Sequence, residues 1–416
     1  MIRGVGLGRS SRTIAPAALW LGLLFPAPVG GPSPTPGSHT VTFVIDMRAE
    51  IAGARFDSTR DRVGVRGGVA PLSWDTTLFA ADPDADGLYE VTATFPRAPF
   101  GGQAVTYKFK VDRATDPRGG WEDGRNRQLF LREAAQTVTR PFNSPPDPVE
   151  TSRTGTLRAH PAFPSRLLAP RDVQVYLPPG YEQAKSRRYP VLYLHDGQNI
   201  FDSASMGMEW QFDETAEALI RAGRIEPLIV VAVANTDARR DEYTPTSVER
   251  KRSDGSVDKG GGKANLYGRF LIEELKPFID RTYRTRPDAA STAVGGASLG
   301  GLVSVWLALE HPRVFGNVLA VSPTVWWDSF VILEKIAALP RKTPARLWID
   351  IGTLEGGDAV SGARRLRDAL LEKGWKAGTD LEYFEQEGGQ HDEISWASRV
   401  EGMLTFLYGK PDAPLR

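Results

Sequence analysis

The sequence predicts an α/β fold, a mostly parallel sheet with helices on both faces, preceded by a β-sandwich domain. The second half of the chain alternates strand-like and helical segments, and its apolar run 229–233 is typical of a central parallel strand. Residues 39–145 instead contain short strands separated by Gly, Pro and Asp turns, which favours a sandwich. A length of 416 residues also exceeds what one hydrophobic core normally serves.

The first 38 residues are predicted to be a signal peptide and a linker. Arg3, Arg9 and Arg12 form a basic segment, and an apolar stretch over 14–29 follows it. This stretch is too short for a comfortable transmembrane helix, although an uncleaved membrane anchor is the alternative. We therefore expect a secreted or periplasmic protein that makes no membrane contact after cleavage.

Residues 39–145 show the alternation of half-buried strands in four segments, 40–46, 62–68, 89–95 and 104–111. The run from Tyr107 to Arg127 resembles starch-binding and glycogen-binding immunoglobulin-like modules, and Trp74 fits the same pattern. The resemblance implies that Trp74 and Trp121 stack on sugar rings. Packing within the module is the alternative role for both indoles.

Two further features of this half are interpreted as structural. Asp82, Asp84 and Asp86 have the spacing of a calcium loop, but Ala93 occupies the twelfth position, where a bidentate Glu is needed. An acidic hairpin turn is therefore expected, and no metal site is predicted. The proline-rich stretch 141–146 is typical of an interdomain linker, so the catalytic domain is placed at residues 151–416.

The pentapeptide 296–300, Gly-Ala-Ser-Leu-Gly, carries the main functional signal. A strand-like segment, 291–295, precedes it and a helical segment, 302–309, follows it. A serine on a sharp strand-to-helix turn presents its hydroxyl, so Ser298 is the predicted nucleophile, with a plain structural turn as the alternative. The N–H of Leu299 then lies at a helix N-terminus, where it can bind an oxyanion.

A nucleophilic serine needs a base and an orienting acid. In the α/β-hydrolase arrangement the order along the chain is serine, acid, then histidine on a late loop, and of five histidines only His391 fits. The acid should follow the strand 346–351. Glu355 is the first candidate because it lies just past the strand end, and Asp358 is the second. Asp350 lies inside the strand, where a local hydrogen bond is expected.

The second half of the chain resembles the Putative esterase family of α/β-hydrolases, which includes enterochelin-type, feruloyl and acetyl esterases, S-formylglutathione hydrolases and mycolyltransferases. The resemblance spans about residues 165 to 410 and implies the same triad, Ser298, His391 and Glu355. Many relatives carry Asp at the acid position. The resemblance also implies a second oxyanion N–H from Gly197 or Gln198. The matching stretches are 193–202, 270–280, 295–302, 322–327, 352–355 and 389–396.

Several residues could shape a substrate pocket. Asn235, Arg239 and Arg240 follow the run 229–233, at the edge where α/β sheets place ligands. In relatives the region of Trp327 contributes to the acyl or aromatic pocket. A solvated loop is the alternative for the arginines, and packing for the tryptophan. The charged, Gly-rich stretch 248–263 is interpreted as a mobile loop.

Composition excludes several other classes of function. The formal net charge is zero, which gives no basic field for nucleic acid, and the absence of cysteine excludes thiol chemistry. We expect a serine carboxylesterase without cofactor that acts on a small-molecule or polysaccharide ester, the feruloyl or acetyl ester of a polysaccharide first. An enterochelin-type siderophore trilactone esterase is the alternative. An acyltransferase and a non-catalytic carbohydrate-binding protein are further alternatives.

Overall fold

A computed structural model describes residues 38–96, 103–113, 119–124, 126–131, 134–145, 152–202, 208–251 and 256–410. Residues 1–37 of the predicted signal peptide and linker, which span residues 1–38, lie outside the described residues. Within these ranges, none of the helices combines the length and the apolar character needed to cross a bilayer.

The N-terminal part contains two sheets around one apolar core. One sheet has the strand order β4-β1-β7 and the other β3-β2-β5-β6. Phe43, Phe95 and Phe109 are completely buried between them, in one cluster. That these sheets form a separate sandwich domain stays a prediction. The elements are β1 (Ser38–Asp46), α1 (Arg48–Ala52), β2 (Arg62–Gly67), β3 (Leu78–Phe79), β4 (Leu88–Pro96), β5 (Gln103–Asp112), β6 (Arg127–Leu131) and β7 (Ala135–Pro141).

The predicted linker begins later than its proline content indicates. Pro141 is the last residue of β7 and pairs with Asp46 of β1, and Phe142 is buried in the same core. An edge strand tolerates a proline because the ring removes only one donor. Ile394, from the far end of the chain, also packs against this core.

The main sheet has eight strands in the order β17-β16-β15-β14-β10-β11-β9-β8. The strands from β17 to β11 run parallel, whereas β9 is antiparallel to both β11 and β8. The strands are β8 (Thr156–Phe163), β9 (Arg171–Leu177), β10 (Val191–His195), β11 (Ile229–Val233), β14 (Thr292–Ala297), β15 (Asn317–Val321), β16 (Arg346–Gly352) and β17 (Leu381–Gln386), with β12 (Ser247–Lys251) and β13 (Val257–Gly261) forming a separate hairpin.

Helices cover both faces of this sheet. Because side chains alternate along a strand, Tyr193 of β10 joins the larger apolar cluster on one face while Leu194 joins the cluster on the other. The helices are α2 (Phe212–Arg221), α3 (Arg239–Glu242), α4 (Ala264–Arg269), a π-helical segment (Phe270–Leu275), α5 (Lys276–Thr282), α6 (Leu299–Glu310), α7 (Val331–Ala338), α8 (Gly357–Lys373), α9 (Glu393–Ala397) and α10 (Val400–Tyr408).

The stretch interpreted as a mobile loop is a hairpin. Strands β12 and β13 pair in antiparallel register, Ser247 opposite Gly261. The hairpin is attached to α3, because Arg240 forms a two-pronged ion pair with Asp258 and the N–H of Gly261 donates to Asp241 at 2.8 Å. The described residues of this stretch therefore form paired strands, in which charged side chains form ion pairs and Gly261 has φ 101°, and its mobility stays a prediction.

Candidate active site

Ser298 occupies the sharp turn between β14 and α6. Its backbone has φ 58° and ψ −120°, a conformation that costs a non-glycine residue free energy and therefore needs surrounding constraints. Three hydrogen bonds supply them. The N–H of Ser298 donates to the Val321 carbonyl at 3.0 Å, and its own carbonyl accepts from Thr324 at 3.0 Å and from Leu302 at 3.1 Å.

Glycines allow this turn to pass close to its neighbours. A Cβ atom on Gly296 would lie 3.1 Å from the backbone of Gly300 and 3.1 Å from the Cβ of His195. A Cβ atom on Gly301 would lie 3.0 Å from the carbonyl oxygen of Val321. Gly296 of the motif and Gly301, which follows it, are thus explained by close approach of chain segments.

The Leu299 N–H is the first of helix α6, and it has no partner within the helix because helical hydrogen bonds begin later. The helix dipole also favours negative charge at this end. The Ser298 hydroxyl lies 3.2 Å from the hydroxyl of Thr324. Donor, dipole and hydroxyl therefore meet at one point of the sheet edge.

His391 and Glu355 form a close pair. The Nδ1 atom of His391 lies 2.6 Å from Oε2 of Glu355, whose side chain is fully buried, whereas 44% of the His391 side chain is exposed. The imidazole also meets the Trp396 ring edge-on, with centroids 5.1 Å apart. Asp358, the second candidate for the acid, is exposed in the first turn of α8.

Within the described residues no hydrogen bond joins Ser298 to His391. Catalytic hydrogen bonds are often long before substrate binds, and they tighten in the complex. The two residues are linked through β15 instead. Ser298 bonds to Val321, and the next residue, Ser322, donates to the other oxygen of Glu355 at 2.5 Å.

Glu355 is held as a carboxylate. Burial alone would raise its pKa, but the hydrogen bonds from His391, Ser322 and the Gly352 N–H outweigh burial and lower the pKa below its ordinary value. An ionised acid against Nδ1 fixes the imidazole orientation and leaves Nε2 available to accept a proton.

The loop after β10 carries the predicted second oxyanion donor. Gly197 and Gln198 lie in a short 3-10 helix, Gly197–Asn199, that begins at Asp196 with φ 57°. A Cβ on Gly197 would lie 2.6 Å from the backbone of Ala232 and Val233. The Gln198 amide oxygen accepts from the Asn235 N–H at 3.3 Å. The loop that contains Gly197 and Gln198 therefore packs closely against β11.

We expect Gly197→Ala to destabilise the protein and to lower its esterase activity. The added methyl meets backbone atoms that cannot rotate away, so an overpacking cost of about 1 to 3 kcal/mol is expected. Denaturant unfolding and ester turnover would be measured together. Gly357→Ala is the control, because its Cβ meets nothing within 4 Å and Gly→Ala should stabilise by about 0.4 to 1 kcal/mol. Equal stabilities of the two variants would contradict the close approach.

The predicted substrate-binding residues are mostly engaged within the protein. Asn235 donates to Asp196 at 2.6 Å, and Arg239 forms a two-pronged pair with the same carboxylate at 2.7 and 2.8 Å. Arg240 is paired with Asp258 on the hairpin. The arginines therefore order the loops around the site, and the structure does not present them as free cations for an anionic ligand.

Trp327 belongs to the core. Only 3% of it is exposed, and its indole N–H donates to the Thr246 carbonyl at 3.1 Å. The structure gives no support for a substrate contact by Trp327, because packing uses its ring. Its neighbour Trp326 is 40% exposed.

Trp74, in the segment between β2 and β3, lies next to Trp121, which precedes β6. Their ring centroids are 6.2 Å apart with an interplanar angle of 52°, and Trp74 is 37% exposed. Arg66 and Lys110 lie over the Trp121 ring at 5.4 and 5.6 Å. One indole therefore reaches solvent while the other packs against two cations.

Sequence reasoning missed a buried polar group behind the acid. Asp350 accepts the indole N–H of Trp348 at 2.7 Å, the local bond expected for it, but it also faces Arg399 at 3.4 Å. Arg399 and Trp396 both donate to Ser322. Trp396 and Arg399 closely follow His391 in the sequence, which indicates that they lie near the predicted base. No local pattern, however, relates them to Glu355.

Two other histidines have structural roles. His195 is buried beneath the serine turn and bonds to the Tyr267 hydroxyl at 2.9 Å, and burial lowers its pKa to about 3, so it is neutral at physiological pH. His160 bonds to the Tyr283 hydroxyl at 2.7 Å. Because His195 and His160 are engaged in these contacts, His391 stays the predicted base.

The model of the family described as Putative esterase matches residues 165–407. An uncharacterized protein of Bacillus subtilis (strain 168), YbbA, is 27% identical over 263 residues, which are 62% of this chain and 97% of that protein. The endo-1,4-beta-xylanase/feruloyl esterase of Xylanibacter ruminicola is 28% identical over 242 residues, 56% of this chain and 29% of that protein.

Solved structures share the fold. The enterobactin esterase of Shigella flexneri, solved in the presence of enterobactin, has a TM-score of 0.55 at 18% identity, and the match covers 85% of this chain and 89% of that one. At this identity the similarity concerns the fold alone. The family match covers more than half of this chain and contains the serine turn, His391 and Glu355. The chain belongs to the Putative esterase family of α/β-hydrolase-like carboxylester hydrolases.

Proposed function

We propose that this protein is a serine carboxylesterase with Ser298 as nucleophile, His391 as base and Glu355 as acid. One observation carries the proposal. The His391 imidazole is held at 2.6 Å by Glu355, and Ser322, which anchors the other oxygen of Glu355, directly follows Val321, whose carbonyl accepts the Ser298 N–H. These contacts supply a serine on a strained turn and an imidazole oriented by a carboxylate, which are the groups that acyl transfer requires.

The chemistry follows from these groups. The Ser298 oxygen adds to the ester carbonyl carbon while Nε2 of His391 takes the hydroxyl proton, and the N–H groups of Leu299 and of Gly197 or Gln198 stabilise the oxyanion. The carbon–oxygen bond to the alcohol then breaks, and His391 returns the proton to the leaving alkoxide. Water, activated by the same imidazole, cleaves the acyl-enzyme. Each oxyanion donor contributes about 3 kcal/mol to such barriers.

The proposed substrate is a feruloyl or acetyl ester of a polysaccharide, and the protein is proposed to be secreted or periplasmic. The feruloyl esterase among its relatives supports an aromatic acyl group. A siderophore trilactone is the second candidate, favoured by relatives such as the ferri-bacillibactin esterase of Bacillus subtilis (strain 168), 28% identical over 181 residues. The internal pairing of Arg239 and Arg240 gives this candidate no additional support.

A substrate panel tests the function. Turnover of p-nitrophenyl acetate would establish ester hydrolysis, and methyl ferulate, acetylated xylan and a ferric trilactone would separate the candidates. Faster cleavage of methyl ferulate or acetylated xylan supports the polysaccharide ester. Preference for the trilactone would overturn it, and no turnover of any ester would overturn the esterase proposal itself.

The exposed tryptophan of the N-terminal sheets gives a second, separate prediction. If Trp74 and Trp121 stack on sugar rings, Trp74→Ala should weaken retention on insoluble xylan or starch about 2- to 10-fold, since an aromatic contact contributes about 0.5 to 1.5 kcal/mol. Hydrolysis of p-nitrophenyl acetate should be unchanged. Phe384→Ala, which removes a ring of similar exposure on β17, is the matched control. Equal retention by wild type and Trp74→Ala would contradict sugar binding.

A further inference from the structure

A buried charge group lies directly behind the proposed acid. The side chains of Asp350 and Glu355 are both completely buried, and Arg399, 1% exposed, lies between them. Its two terminal nitrogens face one carboxylate each, at 3.4 Å from Asp350 and 3.7 Å from Glu355. Burying a second carboxylate beside a catalytic one is costly unless a cation compensates it.

The hydrogen-bond directions at Ser322 can be deduced. Its hydroxyl receives the indole N–H of Trp396 at 3.0 Å and a guanidinium N–H of Arg399 at 3.2 Å. Neither donor group can accept, so both bonds use the lone pairs of the hydroxyl oxygen. The single hydroxyl proton therefore points to Oε1 of Glu355, 2.5 Å away.

This arrangement selects one orientation of the acid. Oε1 of Glu355 accepts from Ser322 and from the Gly352 N–H at 2.8 Å. Oε2 is left for Nδ1 of His391 at 2.6 Å. Rotation of the carboxylate away from His391 would break both of these hydrogen bonds to Oε1.

Arg399 is poorly hydrogen-bonded for a buried arginine. Among the described residues its Nε and Nη1 atoms have no hydrogen-bond partner, although both are buried. Unmade bonds of this kind are costly, so packing alone does not explain a guanidinium here. The positive charge of Arg399 opposite the buried carboxylate of Asp350 explains why a guanidinium is present here.

We propose that Arg399 is a positioning residue of the active site: it neutralises Asp350 and, through Ser322, holds Glu355 with Oε2 toward His391. This inference deepens the proposed function and rests on it. With Arg399 present, the three groups carry one net negative charge, which the imidazolium formed on proton transfer balances. Without it they would carry two.

The charged groups around the imidazole are few. Glu355 faces it from the loop after β16, with Asp350 and Arg399 behind. On its own segment, Asp392 accepts the Ser395 N–H at 2.8 Å, and Glu393 accepts from the Asn199 amide at 2.9 Å. These last two are held by partners that the Arg399 variants leave intact.

The test is Arg399→Met in the full-length chain. We expect kcat to fall on the order of 100-fold with KM unchanged, because the acid loses its fixed orientation. We also expect the acid limb of the kcat/KM profile to move up by about one pH unit, because an uncompensated carboxylate stabilises the imidazolium. Arg399→Lys keeps the positive charge, so the acid limb should return to its wild-type pH and part of the lost kcat should be regained.

Asp350→Asn gives a shift of the opposite sign. Removing one negative charge while Arg399 remains should move the acid limb of the kcat/KM profile to lower pH. This shift can be measured even if the Arg399→Met protein fails to fold. Arg269→Met, which removes an exposed arginine paired with Glu273, is the control and should change neither quantity. A loss of kcat without any shift of the limb in Arg399→Met and Asp350→Asn would assign Arg399 a structural role only and overturn the proposal.

The same shifts can be measured without a substrate. NMR titration of the His391 imidazole, assigned by a His391→Gln variant, should follow the same directions in the Arg399→Met and Asp350→Asn proteins. If wild type hydrolyses no ester but the titrations shift as expected, the proposed function fails while the charge coupling stands. If wild type hydrolyses esters and the titrations coincide, the charge coupling fails.

Discussion

Ser298→Ala is expected to remove hydrolysis of p-nitrophenyl acetate, with a loss of kcat of about a million-fold, the size of loss found when a triad nucleophile is removed. The reason is that the hydroxyl oxygen forms the bond to the acyl group, and alanine has no nucleophilic atom to replace it. Purified wild type and variant would be compared in steady-state assays, and a fluorophosphonate probe should label Ser298 alone.

Thr324→Val is the matched control for Ser298→Ala. The Thr324 hydroxyl lies 3.2 Å from the Ser298 hydroxyl, so a fluorophosphonate could in principle report either one. We expect the Thr324→Val protein to retain labelling. Retained turnover by a folded Ser298→Ala protein, or labelling at Thr324, would overturn the assignment of the nucleophile.

Glu355→Gln is expected to lower kcat about 10,000-fold, as replacing the orienting acid of a serine triad by its amide does. The amide can present an N–H where the imidazole needs an acceptor, so the imidazole loses the tautomer with Nε2 free to take the serine proton. The steady-state kcat and the near-UV circular dichroism spectrum would be measured together, because the fold should be unchanged.

Asp358→Asn is the control for Glu355→Gln. It changes the second candidate acid by the same atoms, but Asp358 is exposed in the first turn of α8, while Glu355 contacts His391. Its kcat should stay within a few-fold of wild type. A reversed order of severity would place the acid at Asp358.

The sequence allowed the strand, turn and helix around Ser298 to be predicted, because each has a local signal. Strand β14, helix α6 and strand β16 lie where the apolar runs indicated. The choice of His391 depended on chain order alone, and the structure places it against Glu355. Local patterns were sufficient where the chemistry is concentrated in a short motif.

Contacts between distant segments could not be predicted in this way. The pairing of Asp350 with Arg399 depends on how α10 docks on the sheet, which no periodicity encodes. The choice between Trp326 and Trp327 depended on a turn in which Asp328 and Ser329 have positive φ, so that one indole enters the core and its neighbour does not. Glycine and charge content suggested mobility at β12–β13, because ion pairs across a hairpin look the same in sequence as a solvated loop.

The positions of His391, Trp396 and Arg399 in one C-terminal segment have a consequence for how the protein matures. During synthesis the chain presents its serine turn well before the segment that holds the base has left the ribosome. If Ser298 and His391 act as proposed, the nucleophile has no base until the segment that contains β17, α9 and α10 has docked. Because Ile394 of this segment packs on the N-terminal core, docking of the C-terminal segment also depends on folding of the first part of the chain. With that proposed activity, ester cleavage would report that the two ends of the polypeptide have come into contact.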